Sequence, residues 1–468
     1  MASPAPDDRE ALKGLRQAVR GDFTAAVEEL SALVRIPAMA WDSFDPSQLD
    51  QAALQVADLL RGAGLADVEI LQAPRPDGLP GAPAVVGRRP AAPGKPTVLL
   101  YAHYDVQPAG QLELWESPPF EAVEREGRLW ARGVADNKAG VLLHVAAVRN
   151  ALRVLGDDLG VGMTVFIDGE EEAGSPSLPL LLQQHGDLLR ADVLVVADSG
   201  NWKVGVPALT TSLRGLILGT IEVRVLEHAL HSGTYGGPLV DALAATSRLL
   251  ASFHHDDGSV AVEGLPASEG PGPSLSEEEF LADSRVRPGV PLAGSGSITS
   301  RLWTKPAMTI IGIDAPSVAL SSDTLQPAAR ARFSLSLAPE SDTAASMEAV
   351  RLHVEKHVPF GAEVTFIPGG RTEGFAGDAS SPASRSMLEA MGEVWGVPAV
   401  AMGVGGSIPA VNILNKLFSE AEILVTGAED PDSRAHGANE SIHLGDFENA
   451  IVAEALLLAR LAGLGAAG

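Results

Sequence analysis

Cysteine is absent from this chain of 468 residues. That excludes disulfides, zinc–thiolate centres and cysteine nucleophiles, and leaves His, Asp and Glu to hold any transition metal. Basic residues are scarce too: 34 Lys and Arg stand against 60 Asp and Glu, a formal net charge of -26. A field of that sign repels nucleic acid and anionic membrane, so neither is expected as a partner. No uninterrupted apolar run approaches bilayer-spanning length, and the N-terminus, MASPAPDDREALKGLRQ, has no basic stretch followed by an apolar one. The expectation is a cytoplasmic protein. Internal repeats are lacking, as are low-complexity tracts beyond enrichment in Ala, Gly and Pro.

What is present is an alternation of apolar strands with helical patterns. After an N-terminal stretch of about ten residues that reads as disordered, Leu12 to Val34 and Pro46 to Gly62 have helical apolar spacing. Leu65 to Leu71, Ala84 to Gly87, Thr97 to Val106, the run from Gly162 and Ala191 to Ala197 read as strands, with helices at Ala139 to Leu155 and Pro176 to Gln184. This favours an α/β fold, a mixed sheet with parallel strands and helices on both faces. Beyond Gly205 the style changes. Leu213 to Val225 alternates as an antiparallel strand does, and Met308 to Ile313, Ala329 to Leu337 and Ala362 to Phe366 continue an α+β block. From about Ser380 the first style returns, ending in a helix from Leu444 to Leu464. The expected organisation is one α/β domain, residues 1–208 and 379–468, interrupted by an insertion, 209–378, with an antiparallel sheet.

The stretch GMTVFIDGEEEAGS, Gly162 to Ser175, joins an apolar strand to Glu170, Glu171 and Glu172. Adjacent like charges at the end of a core strand need a positive partner, and a metal ion is the obvious one. Other apolar runs break in the same way, at His103, Asp136, Asp198 and His436. Taken singly each has an ordinary reading: a solvated acidic loop for the triplet, a core-edge histidine for His103, a helix N-cap for Asp136 and Asn137. Together they form a set of oxygen and imidazole donors without sulfur, the composition of a zinc or manganese hydrolase.

The motifs YAHYDVQP, GVADNKAG, EEEAGS, VVADSG, HSGTYGG, GGSIP and AHGANE run in order over nearly the entire chain. In these the sequence resembles the carnosinase and cytosolic non-specific dipeptidase group of dinuclear zinc peptidases, whose superfamily includes aminoacylases, glutamate carboxypeptidases and succinyl-diaminopimelate desuccinylases. The resemblance implies two divalent ions, zinc first, with manganese or cobalt as alternatives. It implies that His103 and Asp198 hold one ion, that Glu172 and His436 hold the other, and that Asp136 bridges them. Asp105 then orients the His103 site, Glu171 is the general base, and Glu170 is a spare with a solvated or supporting role. A non-proline cis peptide after Asp136 is implied as well. The insertion becomes a lid and dimerisation domain, whose His231 reaches the active site of a neighbouring subunit in a homodimer.

The chemistry expected of such a site is amide hydrolysis. A pair of divalent ions acidifies a water and polarises a carbonyl, Glu171 takes the water proton and returns it to the leaving amine, and His231 stabilises the oxyanion. Asp198, where some relatives carry glutamate, leans toward dipeptides. One departure favours a rival substrate: relatives carry an arginine in the strand FSxRLxP that grips the substrate carboxylate, and here FSLSLAP places Ser336 there. Arg330 and Arg332 share a strand face with Ser336 and are candidate substitutes. The alternatives are therefore an amidohydrolase of N-acyl amino acids or related amides, and a non-catalytic binding protein of the same fold.

Overall fold

The computed structural model describes residues 6–270, 272–406 and 408–465. Ser407 of the GGSIP motif and the first five residues of the stretch read as disordered lie outside them. Helix begins already at Pro6 and runs unbroken to Val34, so the expected disorder does not hold for 6–10. The chain divides into two units.

The larger unit takes in the chain up to Thr211, Gly377–Met402 and the chain from Ile408. Its sheet runs in the order Asp67–Leu71, Ala84–Arg89, Gly162–Asp168, Thr97–His103, Val193–Ala197, Glu422–Thr426, Ala208–Leu213. The four strands from Gly162–Asp168 to Glu422–Thr426 are mutually parallel, and the flanking pairs are antiparallel. Buried strands with parallel neighbours read as continuous apolar runs, which is why TVLLYA and VLVVA carry no polar alternation. Val98, Leu100 and Ala102 join the core formed with helices Pro6–Val34, Lys138–Leu155 and Leu444–Leu461, while Leu99 and Tyr101 are equally buried on the opposite face. Helix Lys138–Leu155 lies within a stretch, Lys138–Leu159, apolar and long enough to cross a membrane by composition, but most of it is buried inside the protein, so it is a core helix.

A second, three-stranded sheet pairs Ser441–His443 with Arg128–Trp130, and that strand with Val123–Arg125. These pieces are too short to leave a periodic signature in the sequence. They matter because they lay the loop before Ser441 beside the loop after Trp130.

The smaller unit spans Ser212–Ala376 with a short piece from Gly403, against the expected 209–378. It is a four-stranded antiparallel sheet, Ala307–Asp314, Ala328–Leu337, Gly215–Arg224, Glu363–Thr372. One face packs Ile217, Ile221, Phe333 and Leu335 with Leu249 and Phe253, Val350 and Val354, the last four from or just after helices Ala242–Ala251 and Thr343–Lys356. Arg330, Arg332 and Ser336 occupy the other face. Beside Ser336, the buried Arg214 donates to the carbonyls of Leu302, Lys305 and Ser336.

Candidate metal centre

The parallel strands deliver their last residues to one edge, where ligands of open α/β sheets gather. His103 pairs with Asp168, and with Tyr101 opposite Val196 it stands level with Asp198. Between these strand ends passes the loop that carries Asp136. Asn137 seats it: its Oδ1 accepts from His103 N (3.2 Å) and its Nδ2 donates to Ala197 O (2.6 Å). The Asp136–Asn137 peptide bond is cis.

Asp136 Oδ1 lies 3.3 Å from His103 Nε2, and its Oδ2 lies 2.9 Å from His436 Nε2. His103 Nε2 is also 3.4 Å from Asp198 Oδ1, and His436 Nε2 is 3.3 Å from Glu172 Oε2. Two groups result, His103–Asp136–Asp198 and Asp136–Glu172–His436, with the ligand atoms of each within 4.8 Å of one another. Glu172 Oε1 is buried without a hydrogen-bond partner. An orphaned carboxylate oxygen among nitrogen and oxygen donors fits a pair of divalent cations sharing the Asp136 carboxylate.

The surrounding groups are arranged in support. Asp105, fully buried, accepts from the backbone N–H groups of Glu171 and Glu172 (3.1 Å each), and its Oδ1 is 3.3 Å from His103 Nδ1. One carboxylate thus orients the imidazole and fixes the backbone of the two acids, as partners behind metal ligands do. Gln107 Nε2 donates to Glu172 Oε2 (2.7 Å). Glu171 belongs to neither ligand group, its carboxylate lying 3.9 Å from His103 Nε2. Glu170 is not solvated: it is buried and accepts from Ala82 N, Ser177 N and Ser177 Oγ, tying the loop after the triplet to the Ala82 turn. His231, in the smaller unit, is exposed, and its Nδ1 accepts from Gly233 N (3.0 Å), which leaves Nε2 to carry the proton and donate.

Sequence reasoning missed Arg132, Lys138 and Glu440. Glu440, fully buried, accepts from Arg132 Nη1 (2.5 Å) and from the N–H groups of Gly133, Ala135 and Asp136. Arg132 Nη2 in turn donates to the carbonyls of His436 (2.9 Å) and Gly437 (3.1 Å). This pair ties the Asp136 loop to the His436 loop. Lys138, buried at the start of its helix, donates to Leu33 O and Ile36 O, and burial draws its pKa down to about 7. The available signals were Glu440 closing the AHGANE motif and charged residues embedded in the apolar run LWARGVADNKAG.

Charge explains the protons here. Burial pushes Glu171 well above the usual carboxylate range and Asp105 up to about 6. Hydrogen bonds from His103 and His436 outweigh burial at Asp136 and hold it well below that range. Asp136 and Glu172 in turn raise His436 to about 10. The imidazoles therefore hold protons that incoming cations must displace.

A model of peptidase family M20/M25/M40 matches residues 99–460. Cysteinylglycine-S-conjugate dipeptidase of Corynebacterium striatum is 34% identical over 382 residues, covering 81% of this chain and 84% of its own. Beta-Ala-His dipeptidase of Rattus norvegicus is 29% identical, over 83% of this chain and 82% of its own. Among solved structures, the di-peptidase Dug1p of Saccharomyces cerevisiae superposes with a TM-score of 0.79 over 97% of this chain and 98% of its own; at 23% identity it speaks for the fold. The family match covers most of the chain, including every strand end that carries a donor, so this chain belongs to peptidase family M20/M25/M40.

Proposed function

We propose that the chain is a dinuclear metallopeptidase that hydrolyses the amide bond of dipeptides, with zinc as the resident ion and manganese or cobalt as alternatives. The observation that carries this reading is one carboxylate, Asp136, shared by two ligand groups beside an acid, Glu171, that belongs to neither. The two dipeptidase relatives point to the same substrate class.

His103, Asp198 and Asp136 would hold one ion, and Asp136, Glu172 and His436 the other. Bound there, the ions supply Lewis acidity toward the amide carbonyl and the attacking water. Glu171, whose proton affinity is raised by burial, accepts the water proton and passes it to the leaving amine as the tetrahedral species collapses. Asp105 keeps that acid in place through the backbone of Glu171 and Glu172. His231, with Nε2 free to donate, stabilises the oxyanion from the neighbouring subunit of a homodimer. Mixing Glu171→Ala with His231→Ala subunits and regaining activity checks that arrangement.

The decisive experiment is Glu171→Ala with metal content measured alongside. Turnover of Xaa-Gly dipeptides falls by about 10²- to 10⁴-fold, the usual size of a general-base contribution, with both ions retained. Unchanged turnover sinks the reading. A second reading, hydrolysis of N-acyl amino acids, is favoured by Ser336, since neither it nor Arg214, committed to three carbonyls, offers a free guanidinium at that place. Rates on acetylated amino acids above those on dipeptides, after metal loading, would establish it.

A further inference from the structure

Beyond Ala197 and Thr426 the two paired strands run on side by side as loops. A Cβ on Gly427 would collide with Ser199 O, and one on Gly200 would lie 3.0 Å from the carbonyl carbon, carbonyl oxygen and Cβ of Glu429. Asn201 N donates to Glu429 O (2.7 Å). The two glycines therefore let Glu429 be laid flush against the loop that starts at Asp198, at the sheet edge where the ligands gather. Its side chain is half-buried, lies in the field of Asp136, Asp198, Glu440 and His436, and receives a hydrogen bond from no described residue.

Its carboxyl is surplus to the metal centre. Asp136, Glu172, Asp198 and the general base Glu171 together balance two divalent ions, and transfer of the water proton to Glu171 does not alter that sum. Glu440 is spoken for by Arg132. Glu429 is left as an acid with no cation of its own, and burial and the Asp136 and Asp198 carboxylates hold it well above the usual carboxylate range. A dipeptide brings one cation, its terminal ammonium; an N-acyl amino acid brings none.

We propose that Glu429 is the residue that receives the substrate's free amino group, which makes it a determinant of specificity for unblocked dipeptides over N-acylated ones. This rests on the dipeptidase reading above. A charge-assisted hydrogen bond of this kind is worth about 10- to 100-fold in affinity.

The test uses the full-length, metal-loaded protein and a phosphinic isostere of Ala-Gly in two forms, amino group free or acetylated, with binding followed by calorimetry. The wild type binds the free-amine form about 10- to 100-fold more tightly. In Glu429→Gln that ratio falls to within about threefold, the acetylated form binds as before, and elemental analysis still finds the wild-type metal content. Glu429→Asp, which keeps the charge and shortens its reach, retains part of the preference and guards against a folding defect in the amide variant. A ratio that persists in Glu429→Gln, a wild type indifferent to acetylation, or metal lost from the variant each overturns the proposal. A wild type that takes up no metal and cleaves no dipeptide brings down the dipeptidase reading instead.

Discussion

The two ligand groups that share Asp136 are built on different foundations. His103 and Asp198 stand at the ends of buried parallel strands, with side-chain exposures of 1% and 9%, and their spacing follows from strand register. Glu172 and His436 come from loops. His436 sits at a φ of 63° with a side chain 57% exposed, and its loop is held from behind by Arg132 and Glu440. His103 and Asp198 are thus fixed by the sheet itself and His436 depends on a buried ion pair, while the shared Asp136 is held from both sides, by Asn137 at the strand ends and by Glu440. The first should keep its shape without an ion, and the second should be the one that metal completes.

The largest break in this comparison is Arg132→Met. It leaves the Glu440 carboxylate buried opposite a thioether, and stranding one partner of a buried pair costs about 3–5 kcal/mol. Thermal denaturation should register that loss, and elemental analysis should find one ion per chain instead of two, the survivor in the His103 group. Equal loss of both ions would show that the two groups do not differ as described. A smaller effect is expected from Gln107→Leu, which removes the donor to Glu172 Oε2 and nothing from the first group. Partners behind metal ligands contribute about 10- to 100-fold in affinity, so one of two titration steps should weaken by that much while the other stays put.

The same division governs how much the sequence disclosed. Apolar β-branched runs that stop at a donor made His103 and Asp198 visible, because a buried parallel strand has no reason to end in His or Asp except what lies beyond it. His436 lies in the polar loop EDPDSRAHGANE, which has no periodicity, so it is marked less sharply than a strand end, and its pairing with Glu172 comes only from the family resemblance. Arg132 and Glu440 are 308 residues apart and find each other only through the short Arg128–Trp130 and Ser441–His443 strands. A charged residue read from sequence defaults to solvent, and of the two roles open to Glu170, solvated or supporting, the hydrogen bonds match the supporting one. Local chemistry does better where no distant partner is needed. In the stretch Asp256 to Val290, which reads as acidic loop and short helix, the helix is Glu277–Ser284, begun by a capping box between Ser276 and Glu279.

The smallest effect concerns protons on the looser group. In the metal-free protein the Asp136 and Glu172 carboxylates raise His436 to about 10, against about 6.5 for an unfolded histidine. A folded-state value above the unfolded one means the protonated ring stabilises the fold. That contribution is complete below about pH 6.5 and disappears as pH rises through about 10. Exposure of the ring to solvent keeps it small. The melting temperature of the metal-free protein should therefore decline gently between about pH 7 and about pH 10, and His436→Ala should remove that slope. With ions loaded the ring holds metal in place of a proton, so the slope should vanish in the wild type as well. A decline that survives in both the variant and the loaded protein would assign it to some other group and leave the contrast between sheet-held and loop-held ligands without its electrostatic half.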